Sequence, residues 1–391
     1  MVDPLLIVHT FYQRPGGEDA VYRAEAALLE AHGHTVERLE FHNDELNSMS
    51  RLGAARRAIH NSSAAEVIEQ RVRQTRARIV HFHNTFPLLS PSVYAAARRG
   101  GARVIQTLHN YRLVCPSALM LRDGAPCDLC VGRAFAWPAV RYACYRDSRA
   151  ASAVVATMLS AHRSRGTWTS QVDAYIAVSD FLGRQVARGG IPRERILVKG
   201  PHLQHDPGCG SHDQEFVLFA GRLSEEKGVR VLLEAWTRLR APIELRIVGD
   251  GPLRDEVEAA AARDTRIRLV GHVPAQDVVQ AMQRARLLVA PSVWYEGAPV
   301  VFAEAAATGL PIVSTRIGAI PESVEDGVSG VLVPPRDAQA LADAVAQLWA
   351  DTARRVQMQR AARRRFEERM SAGAAYARLA AIYEQVSEGK H

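Results

Sequence analysis

Short apolar runs alternate with amphipathic stretches along this 391-residue chain, and that alternation restricts it to folds in which strands and helices interleave. In the first half, Leu5 to His9, Thr35 to Phe41, Arg78 to Phe82, Arg103 to Leu108, Ala174 to Val178 and Ile196 to Val198 read as strands. In the second half, Phe216 to Ala220, Glu244 to Val248, Arg266 to Val270, Arg286 to Ala290, Pro311 to Ser314 and Gly330 to Val333 do so. The expectation is an α/β protein with two successive parallel sheets. Gly200 to Ser211 is rich in turn residues and lacks apolar periodicity, so the boundary falls there. From Ala338 to Glu388 the pattern is helical, with Leu341, Val345 and Leu348 on one face and later Tyr376, Leu379, Ile382 and Tyr383.

Composition narrows the partners. The length suits about two domains, and 47% hydrophobic with 23% charged residues is ordinary for a soluble globular enzyme. The net charge of +7 comes from arginine, since Lys199, Lys227 and Lys390 are the only lysines. A basic balance favours anionic partners. Nucleic acid is not expected, because no zinc finger, RRM-type aromatic motif or basic helical array is present. Met1 to Val8 lacks the basic start and long apolar stretch of a signal peptide, and no run approaches the ~18 apolar residues of a spanning helix. The expected location is cytoplasmic, with peripheral contact at the inner face of an anionic membrane left open.

Glu296 and Glu304 flank a stretch that reads as a turn feeding a helix. Gly297 and Ala298 would stand at the helix N-terminus with Pro299 in its first turn, so backbone N–H groups and the positive dipole end would face an anion such as a diphosphate. A carboxylate at Glu304 could accept from two ribose hydroxyls, while Glu296 at the turn would lie nearer a sugar beyond the phosphates. Two solvated surface acids are the alternative, but Val300, Val301 and Ala303 between them imply a buried helix.

The flanking motifs add to this. Phe216 to Gly228 reads as a buried strand, a glycine turn and a basic pair, Arg222 and Lys227. Ile247-Val248-Gly249-Asp250-Gly251-Pro252, Pro311 to Thr315, Gly318-Ala319-Ile320-Pro321-Glu322 and Gly330 to Pro334 follow in order. This series resembles the donor-binding half of family 4 retaining glycosyltransferases (glycosyl transferases group 1), strongly over about 216 to 350 and more loosely in the N-terminal half. Ala319 departs from the family, which often has a second glycine there.

The resemblance implies the GT-B fold, with two Rossmann-like doubly wound domains facing a central cleft. It divides the chain into an acceptor-binding domain (1–199, with an insertion at about 112–148), a linker (200–213), a donor-binding domain (214–370) and a terminal helix (371–391) crossing back to the first domain. It implies a nucleoside diphosphate sugar as donor, bound near Gly16, Gly17, Gly249, Gly251, Val273, Gly297, Ala298, Pro299 and Glu304. Catalysis would rest on His109, Arg222, Lys227 and Glu296, with no cofactor. Arg222 and Lys227 would neutralise the departing diphosphate, work that a metal ion does in other glycosyltransferases. No suitably placed D-x-D dyad is present for such an ion.

Among the histidines, His9, His81, His83 and His109 lie on or just after strands, so several can share one cleft. Thr107-Leu108-His109-Asn110-Tyr111 matches the family's strand-end histidine, which contacts the donor sugar. His83 and Asn84 would stand on the acceptor side. His109 is not read as a general base, since the family has no agreed protein nucleophile and the leaving phosphate can take the acceptor's proton. Pro15-Gly16-Gly17-Glu18 offers close backbone approach or a plain tight turn. Neither it nor Gly249-x-Gly251 completes a dinucleotide fingerprint, which argues against a dehydrogenase.

Cys115, Cys127, Cys130 and Cys144 form a C-x11-C-x2-C-x13-C pattern that can make a structural zinc site or be ordinary thiols. The same insertion interleaves Arg112, Arg122, Arg133, Arg141, Arg146 and Arg149 with Phe135, Trp137, Tyr142 and Tyr145. That mixture suits an anionic lipid interface, a groove for a phosphorylated acceptor, or a solvated rim. The chain therefore reads as a retaining glycosyltransferase, hexosyltransferase-like, acting on a saccharide or lipid-linked saccharide in cell-surface polysaccharide synthesis. A nucleotide-sugar epimerase of the same architecture and a non-catalytic nucleotide-sugar-binding protein are the rivals.

Overall fold

The computed structural model describes residues 4–13 and 16–389; Pro15 of the glycine turn and Lys390 lie outside the described residues. The chain divides into two compact units, one of Met1–Met120, Cys127–Gly200 and Ala375–His391, the other of Leu121–Pro126 and Pro201–Ala374.

In chain order the strands are β1 (Leu5–Phe11), β2 (Val36–His42), β3 (Ile79–Asn84), β4 (Arg103–Leu108), a small antiparallel hairpin of β5 (Leu121–Arg122) and β6 (Ala125–Pro126), then β7 (Ala174–Ala177) and β8 (Ile196–Val198). Apart from the hairpin they form one six-stranded parallel sheet in the order β2-β1-β3-β4-β7-β8. All of β1 is buried, as expected of a parallel strand covered on both faces. Leu5, Ile7, Ile79 and Ile105 pack with Leu379, Ile382, Tyr383 and Val386 of the helix Ala372–Ser387.

The second unit carries β9 (Phe216–Ala220), β10 (Glu244–Val248), β11 (Ile267–Gly271), β12 (Leu287–Ala290), β13 (Ile312–Thr315) and β14 (Gly330–Val333). These form a parallel sheet in the order β11-β10-β9-β12-β13-β14, with an apolar core on each face. Trp236, fully buried in one of those cores, donates its indole N–H to Ile243 O at 3.1 Å, so its burial leaves no polar group unpaired.

The strand order fixes where ligands can enter. In open α/β sheets they bind beyond the carboxyl ends of strands, where the order reverses. That point lies between β1 and β3 in the first sheet and between β9 and β12 in the second. The helical tail is three helices, Ala338–Ala350, Thr352–Arg369 and Ala372–Ser387. Asp337 and Asp351 cap the first two by accepting from Ala340 N and Arg354 N, each at 2.9 Å. Among the described residues no helix is long and apolar enough to cross a membrane.

Candidate functional site

In the second unit, the turn after β9 and the loop after β12 meet at the switch point. Val293 N donates to Glu226 O at 3.0 Å, and Gly228 adopts φ +74° where an added Cβ would stand 1.8 Å from Pro291 O. Only glycine allows that approach. It brings Lys227 Nζ to 2.7 Å from Glu296 Oε1, with Ser292 Oγ donating to the same oxygen at 2.7 Å. Lys227 Nζ also lies 5.6 Å from the centroid of the Trp294 ring. Glu296 is 4% exposed. Its backbone is held by the turn after β13, where Ala319 N donates to Glu296 O at 3.1 Å and a Cβ on Gly318 (φ +59°) would come within 2.8 Å of Glu296 N. Ala319 itself has φ −87°, an ordinary value, so the family's second glycine is not needed for this turn.

The helix after Glu296 spans Val300–Thr308 and is buried along most of its length, as its apolar residues require. Pro299 corrects the sequence expectation: with ψ 123° it is an extended N-cap preceding the first turn. Gly297 and Ala298 are half-buried in irregular backbone before it. Glu304, half-buried, is raised above the usual carboxylate range by burial alone.

Arg222 is exposed on the turn after β9 and stands outside the Lys227–Glu296 pair. Gly249 (φ +143°) and Gly251 serve the packing of that turn, because added Cβ atoms would stand 1.9 Å from Gly221 O and 2.5 Å from Leu223 O. Their close approach is thus to neighbouring backbone. Val273 is partly buried against the core containing Phe216, Leu218 and Phe302.

In the first unit, β1, β3 and β4 carry His9, His81, His83 and the residue after β4, His109, into one group in which the first three are buried and His109 is half-buried. His83 Nδ1 lies 3.2 Å from His109 Nε2. His81 is 2.8 Å from Tyr383 OH through Nδ1 and 2.7 Å from Thr107 Oγ1 through Nε2. Lys199 Nζ donates to Glu25 Oε2 at 2.8 Å, while Glu25 Oε1 faces His81 at 3.4 Å and His83 at 3.8 Å. Burial lowers the pKa of His81 to about 4 and of His109 to about 3, and pushes His83 well below the usual range.

His9 Nε2 lies 2.8 Å from Asp19 Oδ1, and Asp19 Oδ2 accepts from Gly16 N at 2.9 Å, tying β1 to the N-terminus of the helix Gly17–Ala31. A Cβ on Gly16 or Gly17 would meet nothing within 4 Å, so packing does not demand glycine at either position. Asn84 is committed to backbone: it donates to Thr10 O at 2.8 Å and accepts from Phe86 N at 3.0 Å. A pocket beside this group is lined by Tyr12, Glu18, His83, His109, Asn110 and Arg112, among others. Asn110 Nδ2 donates to Glu18 Oε1 at 2.6 Å, and burial raises the Glu18 pKa. Glu18 and Asn110 stand within the Pro15–Glu18 and Thr107–Tyr111 motifs, but sequence alone gives them no role.

The four clustered cysteines are half-buried. Burial, and next the neighbouring Cys115, push the Cys130 thiol up to about 12; Cys144 and Cys127 contribute in the same direction. Cys115, Cys127 and Cys144 are thus near enough to Cys130 to oppose its ionisation. Among the described residues, however, the set of three metal-capable groups lying within 4.8 Å of one another is Glu25, His81 and His83. There Lys199 already occupies Glu25 and both His81 nitrogens have hydrogen-bond partners.

Solved structures share this fold. The Anabaena protein HepE in complex with UDP aligns with a TM-score of 0.69 over 97% of this chain and 99% of that chain, at 19% identity. Sucrose-phosphate synthase from Thermosynechococcus elongatus aligns at 0.70 over 99% and 100%, at 17% identity. At such identities the likeness is one of fold, and that fold is GT-B. Residues 15–198 match the family model described as Glycosyltransferase Family 4, and residues 214–351 match that described as Glycosyl transferases group 1. The chain belongs to this glycosyltransferase family. The amylovoran biosynthesis glycosyltransferase AmsK of Erwinia amylovora is 34% identical over 213 residues, 52% of this chain and 51% of that protein. The match thus spans about half the length of this curated relative.

Proposed function

We propose that the protein is a retaining glycosyltransferase that moves a sugar from a nucleoside diphosphate to a saccharide or lipid-linked saccharide in cell-surface polysaccharide or glycoconjugate synthesis. The observation that carries this reading is the Lys227–Glu296 pair at the β9/β12 switch point, ahead of a helix N-terminus and Glu304. HepE was solved with UDP and with UDP-glucose, and AmsK is named for amylovoran biosynthesis, which agree with such a donor and such a product.

In this reading the domain of residues 214–370 holds the donor and that of residues 1–199 the acceptor. The bond from the anomeric carbon to the phosphate oxygen breaks while the acceptor oxygen bonds to that carbon on the same face, and the departing phosphate takes the acceptor's proton. Lys227 and Arg222 meet the growing charge of the diphosphate, so catalysis needs no metal ion. Glu304 accepts from ribose hydroxyls, Glu296 lies toward the sugar, and His109 accepts from a sugar hydroxyl.

The insertion supports a membrane-borne acceptor at the cytoplasmic face. Phe135, Trp137 and Tyr142 are 41, 50 and 45% exposed, with Arg133 5.4 Å from the Trp137 ring and Arg141 5.8 Å from the Tyr142 ring. Exposed rings beside guanidinium groups fit an anionic headgroup layer. The test is a panel of nucleoside diphosphate sugars read by thermal stabilisation, followed by transfer to saccharide and lipid-linked acceptors. One donor should stabilise the protein and be consumed only with acceptor. Conversion of the donor to an isomeric sugar without acceptor would favour an epimerase instead.

A further inference from the structure

His83 and His109 stack at 5.3 Å between ring centroids and share one hydrogen bond, His83 Nδ1 to His109 Nε2 at 3.2 Å. Two neutral imidazoles can share that contact in only two ways, because one nitrogen must carry the proton and the other the lone pair. The choice is set at the far side of His83. Its Nε2 is buried without a hydrogen-bond partner, and a Glu25 carboxylate oxygen lies 3.8 Å away.

A lone pair at His83 Nε2 would face that carboxylate and be repelled, whereas an N–H there is attracted. The proton therefore belongs on His83 Nε2, which leaves Nδ1 as the acceptor. Lys199 donates to the other oxygen of Glu25 at 2.8 Å, an ion pair that favours the carboxylate form. The other groups facing His83 are His81, tilted at 4.5 Å, His9 at 6.3 Å, Tyr22 at 5.5 Å and the Lys199 ammonium, and none of these is an anion.

We propose that His83 is a positioning residue that fixes the His109 proton on Nε2, so that His109 presents the lone pair of Nδ1 to a hydroxyl of the sugar ligand. The chain of bonds runs from the Glu25 carboxylate through His83 Nε2–H, His83 Nδ1 and His109 Nε2–H to the bare Nδ1. No covalent bond changes and no proton is transferred; only the polarity of His109 is set. The low basicity of both rings keeps them neutral near pH 7, as a tautomer lock requires. The benefit to a sugar rests on the transferase reading, but the tautomer does not.

The test is histidine-selective 15N NMR of the full chain, which reads the tautomer without turnover. His109 should show a pyrrole-type signal at Nε2 and a pyridine-type signal at Nδ1. In His83→Phe this single tautomer should become a mixture, and kcat/KM for the sugar donor should fall about tenfold, the scale of one neutral hydrogen bond, mainly through KM. His83→Asn, whose amide oxygen can stand where Nδ1 stood, should restore the tautomer in part. Three results would overturn the proposal: His109 protonated on Nδ1, a tautomer unchanged in His83→Phe, or joint displacement of the His81 and His83 signals by added Zn²⁺. The predicted tautomer in a protein that uses no nucleotide-sugar would support the hydrogen-bond assignment and sink the functional reading.

Discussion

Lys227 Nζ and Glu296 Oε1 stand 2.7 Å apart, so the cation to which we assign the donor diphosphate is already neutralised by a buried carboxylate. On that assignment a donor must compete for the ammonium. The pair therefore keeps a fixed charge in register without leaving it uncompensated, at a cost in affinity for the phosphates.

That competition has a direct consequence. Glu296→Gln removes the rival charge while keeping an oxygen that can face Ser292, so a free nucleoside diphosphate should bind roughly tenfold tighter although transfer falls. Titration calorimetry measures the first effect and product formation the second. Weaker nucleotide binding in this variant would contradict the competition.

Removing the cation itself should damage turnover more than folding, because Lys227 is 29% exposed at its side chain and Arg222 is exposed. Loss of one charge-stabilising contact at a transition state costs about 2.7 to 4 kcal/mol in a comparable setting, or about 10²- to 10³-fold in rate. Lys227→Ala and Arg222→Ala should each show such a loss with melting temperatures near wild type. Wild-type turnover in both would remove the leaving-group role.

The clustered histidines make an acid-side prediction. His81 and His109 are lowered to about 4 and about 3 in the folded chain, against about 6.5 when unfolded, so below pH 6.5 the unfolded state binds more protons. Their contribution to stability is complete above pH 6.5 and is lost as pH falls toward 4. Melting temperature should already decline between pH 6.5 and 5, before most carboxylates titrate. A flat profile across that interval would show that these rings are not held neutral by the fold.

The four cysteines are expected to hold one structural Zn²⁺. An insertion carrying so many arginines has little apolar surface to bury, and metal binding supplies ordering energy directly. Elemental analysis should find about one zinc per chain, and Cys127→Ser should release it while sparing donor affinity. Metal-free protein that folds and transfers sugar normally would show ordinary thiols.

Apolar periodicity located the strands of both sheets because parallel strands covered on both faces read as near-continuous apolar runs. It ended β3 at Phe82, whereas the strand runs to Asn84. Polar strand ends carry no such signal, and they are where ligands bind. The histidines were visible as residue types, but their partners were not. Glu25 and Lys199 are 174 positions apart, and His81 and Tyr383 are 302 apart, so only the folded sheet joins them. The Lys227–Glu296 contact likewise depends on two loops that close over Gly228, a relation no local pattern contains.

The most direct test of the proposed nucleotide-sugar site is release of nucleoside diphosphate from the stabilising donor when acceptor is added, in the presence of a divalent-ion chelator mild enough to leave any tightly bound zinc in place. Wild type should turn over at an undiminished rate, and Lys227→Ala should fall by about 10²-fold or more. Prompt loss of wild-type activity that Mg²⁺ or Mn²⁺ fully restores, together with a Lys227→Ala variant as active as wild type, would contradict it.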